Sequence, residues 1–251
     1  MTDTAQQSHP DSGAPATGVP LPAAVLWDMD GTLLDSEPIW DVAMAELARR
    51  HGVVMTPELR ESTLGNSLPD ALAKVHDAAG VPPRERDPDA DGRWTLDRVT
   101  ELFAEDLPWR PGARDALDLV ASAGIPMVLV TNTVRELTEV ALTTIGRERF
   151  VATVCGDEVA VGKPAPDPYL RAAELLGVPT AQCLAVEDSP TGAAAATAAG
   201  CPTLVVASAA PVEPGRLRVF RDSLAGLRLD DVADAWTGGL AHISTCQNEE
   251  S

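Results

Sequence analysis

The sequence predicts an α/β protein: a doubly wound, Rossmann-like parallel sheet carrying an inserted helical cap. Three observations carry this reading. Short apolar runs bounded by turn residues recur along the chain, helical patterns separate them, and the stretch from about 36 to 108 interrupts the alternation with helical segments alone. At 251 residues the chain is long enough to bury a sizeable core.

In chain order, residues 1–22 are rich in Ser, Thr, Pro and Gly without a hydrophobic period, and read as a disordered leader. AAVLWDMDGT follows as a buried strand feeding a loop, because its apolar run is stopped by acidic residues and a glycine. Ser36 stands where a cap is needed for a helix with Ile39, Ala43 and Leu47 at spacing four, and Gly52 supplies a left-handed stop. Further strands are expected at 125–132, 150–155, 183–188 and 201–208. Asp167 and Pro168 read as N-cap and first-turn proline of a helix closed by Gly177, and Ser189 with Pro190 opens an Ala-rich helix ending at Gly200. The domains expected are a core of 23–35 and 109–225, a cap of 36–108, and a C-terminal tail of 226–251 with a short helix at 230–236 and a frayed last dozen residues.

Composition narrows the function. A net charge of −19 repels a phosphate backbone at long range, so nucleic acid is a poor partner, although a lysine and a metal ion in one cleft can still hold a small phosphorylated molecule. No run reaches the roughly 18 apolar residues of a membrane span. The four cysteines form no C-x-x-C pair, which suits reduced thiols, and the N-terminus lacks a signal-peptide pattern. A cytoplasmic protein is expected, with its oligomeric state left open.

Four features fall at the C-terminal ends of four expected strands: Asp28 and Asp30 in DMDGT, Thr131 and Asn132 in VTN, Lys163 in GKPAPDPY, and Glu187 with Asp188 in VEDSPTG. Taken singly, each has a plainer reading: a turn, a helix-capping hydroxyl, a loop lysine, acids placed for a helix dipole. An EF-hand reading of the first loop fails, since its twelfth position is Ile39. Together, at the edge of an open parallel sheet where ligands bind, they form one crevice.

From about Ala24 to Ala207 the chain resembles the haloacid dehalogenase superfamily, through the ordered set DMDGT, Thr131, Lys163 before a proline-rich helix start, and EDSPTG. DGTLLDSEP and the inserted helices are most similar to its sugar-phosphate phosphatase branch, near the beta-phosphoglucomutases. The superfamily's dehalogenases lack the aspartate that stands here as Asp30, which sets that activity aside. The resemblance implies a phosphatase acting on a small phosphate ester. Asp28 would be the nucleophile and Asp30 the acid and base. Lys163 and Thr131 would hold phosphoryl oxygens, while Gly31 and Thr32 would offer loop N–H groups and Asn132 and Asn66 would bind substrate. Magnesium is the expected metal, because the ligands on offer are oxygens without a His or Cys cluster: Asp28, Asp188, the Asp30 carbonyl and Glu187.

In the cap, ESTLGNSLPDAL, with Gly65 and Asn66, resembles the loop that reads the leaving group, and Trp40, Arg93 and Trp94 are further candidates for the pocket. Mutases carry an arginine three residues after the glycine, where this chain has Leu68, so hydrolysis is favoured over phosphoryl return. A phosphomutase and a non-catalytic phosphate-binding protein remain the alternatives.

Overall fold

The computed structural model describes residues 20–63, 66–105, 107–208 and 210–247. The expected leader therefore lies almost wholly outside the described residues, as does Gly65 of the cap loop. Six strands, β1 (Ala24–Trp27), β2 (Met127–Val130), β3 (Ala152–Val154), β4 (Cys183–Glu187), β5 (Thr203–Val206) and β6 (Arg218–Arg221), lie in the order β3-β2-β1-β4-β5-β6. All five pairings are parallel. The chain winds outward from β1 to β3, then returns to place β4 on the other side of β1. That reversal opens a crevice at the carboxyl ends of β1 and β4.

Alternation along the strands divides the core. Val25 and Trp27 of β1 pack on one face with Leu129, Val186 and Val206, beneath α5 (Ala113–Ser122), α6 (Arg135–Ile145) and α9 (Leu229–Gln247). Ala24 and Leu26 pack on the other with Val128, Val130 and Ala185, beneath α7 (Asp167–Leu176) and α8 (Pro190–Ala198). Both faces being covered, the strands read as near-continuous apolar runs. Each fully buried aliphatic side chain contributes about 1.5–3 kcal/mol.

Between β1 and α5 the chain forms α1 (Glu37–Arg50), α2 (Pro57–Thr63), α3 (Leu68–Ala78) and α4 (Pro88–Glu105). Met44 and Leu47 of α1 bury against Leu72 and Val75 of α3, a small core of the insert's own, while Ala43, Val99 and Phe103 join the core of the sheet. The strands entering and leaving this insert run side by side. Asp35 N–H donates to Pro108 O (2.8 Å), Arg110 N–H donates to Leu33 O (2.9 Å), and Leu34 and Trp109 form an antiparallel bridge.

The five expected strands are all present, and four expectations are corrected. Ser36 occupies the N-cap position of α1 but makes no capping bond; its hydroxyl donates instead to Asp30 (2.6 Å). The cap of α7 is Pro166, with Asp167 the first helical residue. The sequence reading missed β6, an edge strand whose RVFR carries no apolar run. The tail is largely helical, since α9 extends from Leu229 to Gln247, well past 236 and into the supposedly frayed end. Its Val232, Ala233 and Ala235 are buried, and Trp236 Nε1 donates to Ala181 O (2.9 Å).

Candidate active site

The site grows from the loop after β1. Asp28 N–H still donates to Val186 O (3.0 Å), holding the carboxyl end of β1 against β4. The chain then turns tightly, with Leu33 and Leu34 N–H both donating to Met29 O (2.9 and 3.0 Å). Gly31 makes this turn possible at φ +83°, where a Cβ would run into the Asp188 carboxylate.

Asp28, Glu187 and Asp188 bring carboxylate oxygens within 4.8 Å of one another. Lys163 meets them from the loop after β3, its Nζ donating to Asp28 Oδ1 (2.6 Å), Glu187 Oε1 (2.6 Å) and Val130 O (2.8 Å). Tyr169 of α7 also donates to Glu187 Oε1 (2.5 Å), and Ser189 donates to Glu187 Oε2 (3.3 Å). Gly192 lets α8 approach this carboxylate, because a side chain there would collide with Glu187. Ser189 caps α8 as expected, its hydroxyl accepting from Gly192 N–H (3.0 Å).

Charge is unbalanced here: three buried carboxylates share one buried ammonium. Burial and Glu187 push Asp28 up to about 7 against the pull of Lys163. Asp188 is raised as well, by burial and then by Asp28 and Glu187. Burial would lower Lys163, but Asp28 and Glu187 hold it above its ordinary value. Among the described residues Asp28 Oδ2 is buried without a hydrogen-bond partner. A buried carboxylate oxygen left without a partner in this way fits a cation.

Asp30 stands apart from the acidic cluster. Ser36 donates to its Oδ1 (2.6 Å), while Thr133 (2.7 Å) and Thr131 (3.3 Å) donate to its Oδ2. Thr133 escaped the sequence reading; a bend after β2, in which its N–H donates to Thr131 Oγ1 (3.0 Å), brings its hydroxyl to the same carboxylate as that of Thr131. Asn132 is turned to Lys163, accepting from its N–H (2.7 Å) and donating to its carbonyl (3.0 Å). The geometry makes Asn132 a clamp on the lysine loop.

Of the two N–H groups expected to meet phosphate, that of Gly31 donates to Leu34 O (2.8 Å) within the loop. The buried Thr32 hydroxyl donates to Asp188 Oδ1 (3.1 Å), which leaves the expectation for its N–H as it stands. A cavity of about 370 Å³ opens above Asp28, Asp30, Thr131, Lys163 and Asp188, and is closed on the insert side by Trp40, Met44, Arg60, Asn66 and Leu68. Asn66 and Trp40 thus reach it. Arg93 is instead ion-paired with Glu136 (2.9 Å), and Trp94 packs in the insert core beneath the Arg50 guanidinium. The Arg60 guanidinium is engaged by Asp41.

Fold and site together define a class, α/β proteins with a doubly wound parallel sheet, a carboxylate-lined cleft at its switch point and a helical insert above it. Within that class the chain belongs to the haloacid dehalogenase-like hydrolases, a family that matches residues 22–200. It is 32% identical over 199 residues to hexitol phosphatase A of Escherichia coli, covering 76% of this chain and 85% of that one. It is 34% identical over 192 residues to phosphoglycolate phosphatase of Chromobacterium violaceum, covering 73% of this chain and 84% of the relative. Among solved structures, CbbY from Rhodobacter sphaeroides in complex with phosphate superposes with a TM-score of 0.74 at 29% identity, over 82% of this chain and 96% of that one. Among the described residues no helix is long and apolar enough to cross a membrane.

Proposed function

We propose that this protein is a phosphatase of small phosphorylated metabolites, of the size of sugar and polyol phosphates, working through a phosphorylated Asp28. The observation that carries this is the pairing of a buried carboxylate on Lys163 with a second carboxylate, Asp30, held two residues away on the floor of one cavity. The named activities of the E. coli and C. violaceum relatives support the substrate class.

Asp28 attacks phosphorus and the bond to the ester oxygen breaks, while Asp30 donates a proton to the leaving alkoxide. Asp30, now a carboxylate, then removes a proton from water as that water attacks the acyl phosphate, releasing inorganic phosphate and restoring Asp28. Three hydroxyls fix the orientation of Asp30 for both roles. Lys163 neutralises the approaching phosphoryl group, and the Thr131 hydroxyl stands beside Asp30 to bind one of its oxygens.

The unpartnered Asp28 oxygen and the all-oxygen donor set fit a hard cation, and Mg²⁺ is the proposed metal. Asp28 and Asp188 would hold it, with the Asp30 carbonyl and Glu187 as further oxygen donors, and it would neutralise charge on the transferring group. The buried free thiols of Cys155, Cys183 and Cys201 suit the proposed cytoplasmic setting.

The test is a panel of hexitol phosphates, hexose phosphates and phosphoglycolate assayed with MgCl₂. Release of inorganic phosphate, lost on chelation and in Asp28→Asn, is expected. Isomerised hexose phosphate with little free phosphate would establish a mutase instead, against the absence of a cation at Leu68. No turnover of any ester, together with retained binding of inorganic phosphate, would favour a binding protein instead.

A further inference from the structure

Away from the catalytic cleft, three helices of the insert bring donor atoms to one point. His51 closes the C-terminus of α1, His76 lies in the last turn of α3, and Asp91 lies in the first turn of α4. Nε2 of His51 and Nε2 of His76 each stand 2.8 Å from the same oxygen, Asp91 Oδ2. The two rings meet edge-on with centroids 4.9 Å apart. All three donor atoms fall within 4.8 Å of one another, and none of these residues lines the catalytic cavity. A sequence spacing of 25 and then 15 residues hid this cluster, so the expectation that the chain has no histidine cluster is corrected here.

The arrangement converges on a single atom: two imidazole rings, one at the end of α1 and one in α3, turn the same nitrogen to one carboxylate oxygen of α4. Two imidazole nitrogens and one carboxylate oxygen suit a borderline cation such as Zn²⁺, whereas Mg²⁺ and Ca²⁺ seek oxygen. Replacing the two N–H protons by one ion at about 2.0–2.1 Å from each donor requires the ligands to spread by only about half an ångström. His76 is fixed in the core of the insert with its side chain 1% exposed, whereas that of His51, at a helix end, is 21% exposed and has room to move and to admit an ion.

We propose that His51, His76 and Asp91 form a binding site for a zinc-class divalent ion, tying α1, α3 and α4 together and independent of the magnesium site proposed at Asp28 and Asp188. The test is calorimetric titration of ZnCl₂ into chelator-treated, dialysed full-length protein with MgCl₂ in excess, paired with the visible absorption of the Co²⁺-loaded form. One zinc per chain is expected in the wild type and in Asp188→Asn. In His51→Gln, which keeps an amide donor for Asp91 but no zinc ligand, and in His51→Ala, affinity should fall more than about tenfold, the least expected for disturbing even an outer partner of a metal site. The Co²⁺ band should vanish in both, while circular dichroism without metal shows the fold retained. Zinc binding that survives in both His51 variants, disappears in Asp188→Asn, or is absent from the wild type would overturn the proposal.

Discussion

Replacing Lys163 by methionine would leave Asp28 and Glu187 facing each other with no buried cation between them. Loss of one partner from a buried ion cluster costs about 3–5 kcal/mol, so denaturant unfolding of metal-free Lys163→Met should show a fall of that order. Asp28→Asn acts in the opposite direction. It removes one of three crowded carboxylates and should stabilise the metal-free protein by about 0.5–2 kcal/mol while abolishing turnover, the trade expected where function concentrates like charge. Asp30→Asn separates the two chemical steps: an aryl phosphate leaves without a proton and a sugar alkoxide does not, so the aryl-ester burst should outlast sugar-phosphate turnover. Phosphorylated Asp28 should then accumulate as a hydroxylamine-sensitive mass increase. An equal loss of both activities with no trapped intermediate would reduce Asp30 to a structural residue. Asp28, Asp30, Glu187 and Asp188 were legible because each sits in a short motif at a strand end, and Lys163 because GKPAPDPY marks the loop between β3 and α7. Their partners were not: Thr133 meets Asp30 across 103 positions, and Tyr169 meets Glu187 from a neighbouring helix. The engagement of Gly31 was not legible either, because its N–H donates to Leu34 O, a bond within the loop that no sequence pattern shows.

Among the elements, five strands declared themselves because a sheet covered on both faces needs uninterrupted apolar runs. An edge strand need not carry one: β3 at one edge still shows as the apolar run FVATVC, whereas β6 at the other reads RVFR and is only half-buried along its length, with Phe220 exposed. The last helix was underestimated for a related reason. Many of its non-polar positions are alanine and glycine, which give a weak periodic signal, yet it covers β4, β5 and β6. It follows that α9 is part of the core. Val232→Asp, at a position 2% exposed, should cost about 3 kcal/mol or more and lower the melting temperature clearly, whereas the same change in a true tail would leave it unmoved.

Over the whole molecule, 38 acidic residues against 19 basic ones surround a cleft meant for an anion. The far field opposes the substrate and only the local field at Lys163 welcomes it. Raising the ionic strength from low values should therefore increase kcat/KM by screening the far field, since charges more than about 10 Å away are largely screened at 0.1 M salt. A kcat/KM that falls steadily with salt would mean that local attraction governs capture. The division into sheet and insert was legible in the sequence because four helices in a row cannot belong to a strand–helix alternation. The joint between them was not, because it rests on backbone bonds across Leu34 and Trp109. That joint bears on the history of such a molecule. The chain leaves the core at Asp35 and returns at Pro108 as a hydrogen-bonded neighbour of itself, so whatever lies between is topologically a loop with its ends already closed. Closure entropy grows by only about 0.6 kcal/mol per doubling of such a loop. Inserts of very different length can therefore be exchanged at this seam while strand order, register and the catalytic edge are inherited unchanged, which lets substrate preference evolve apart from chemistry.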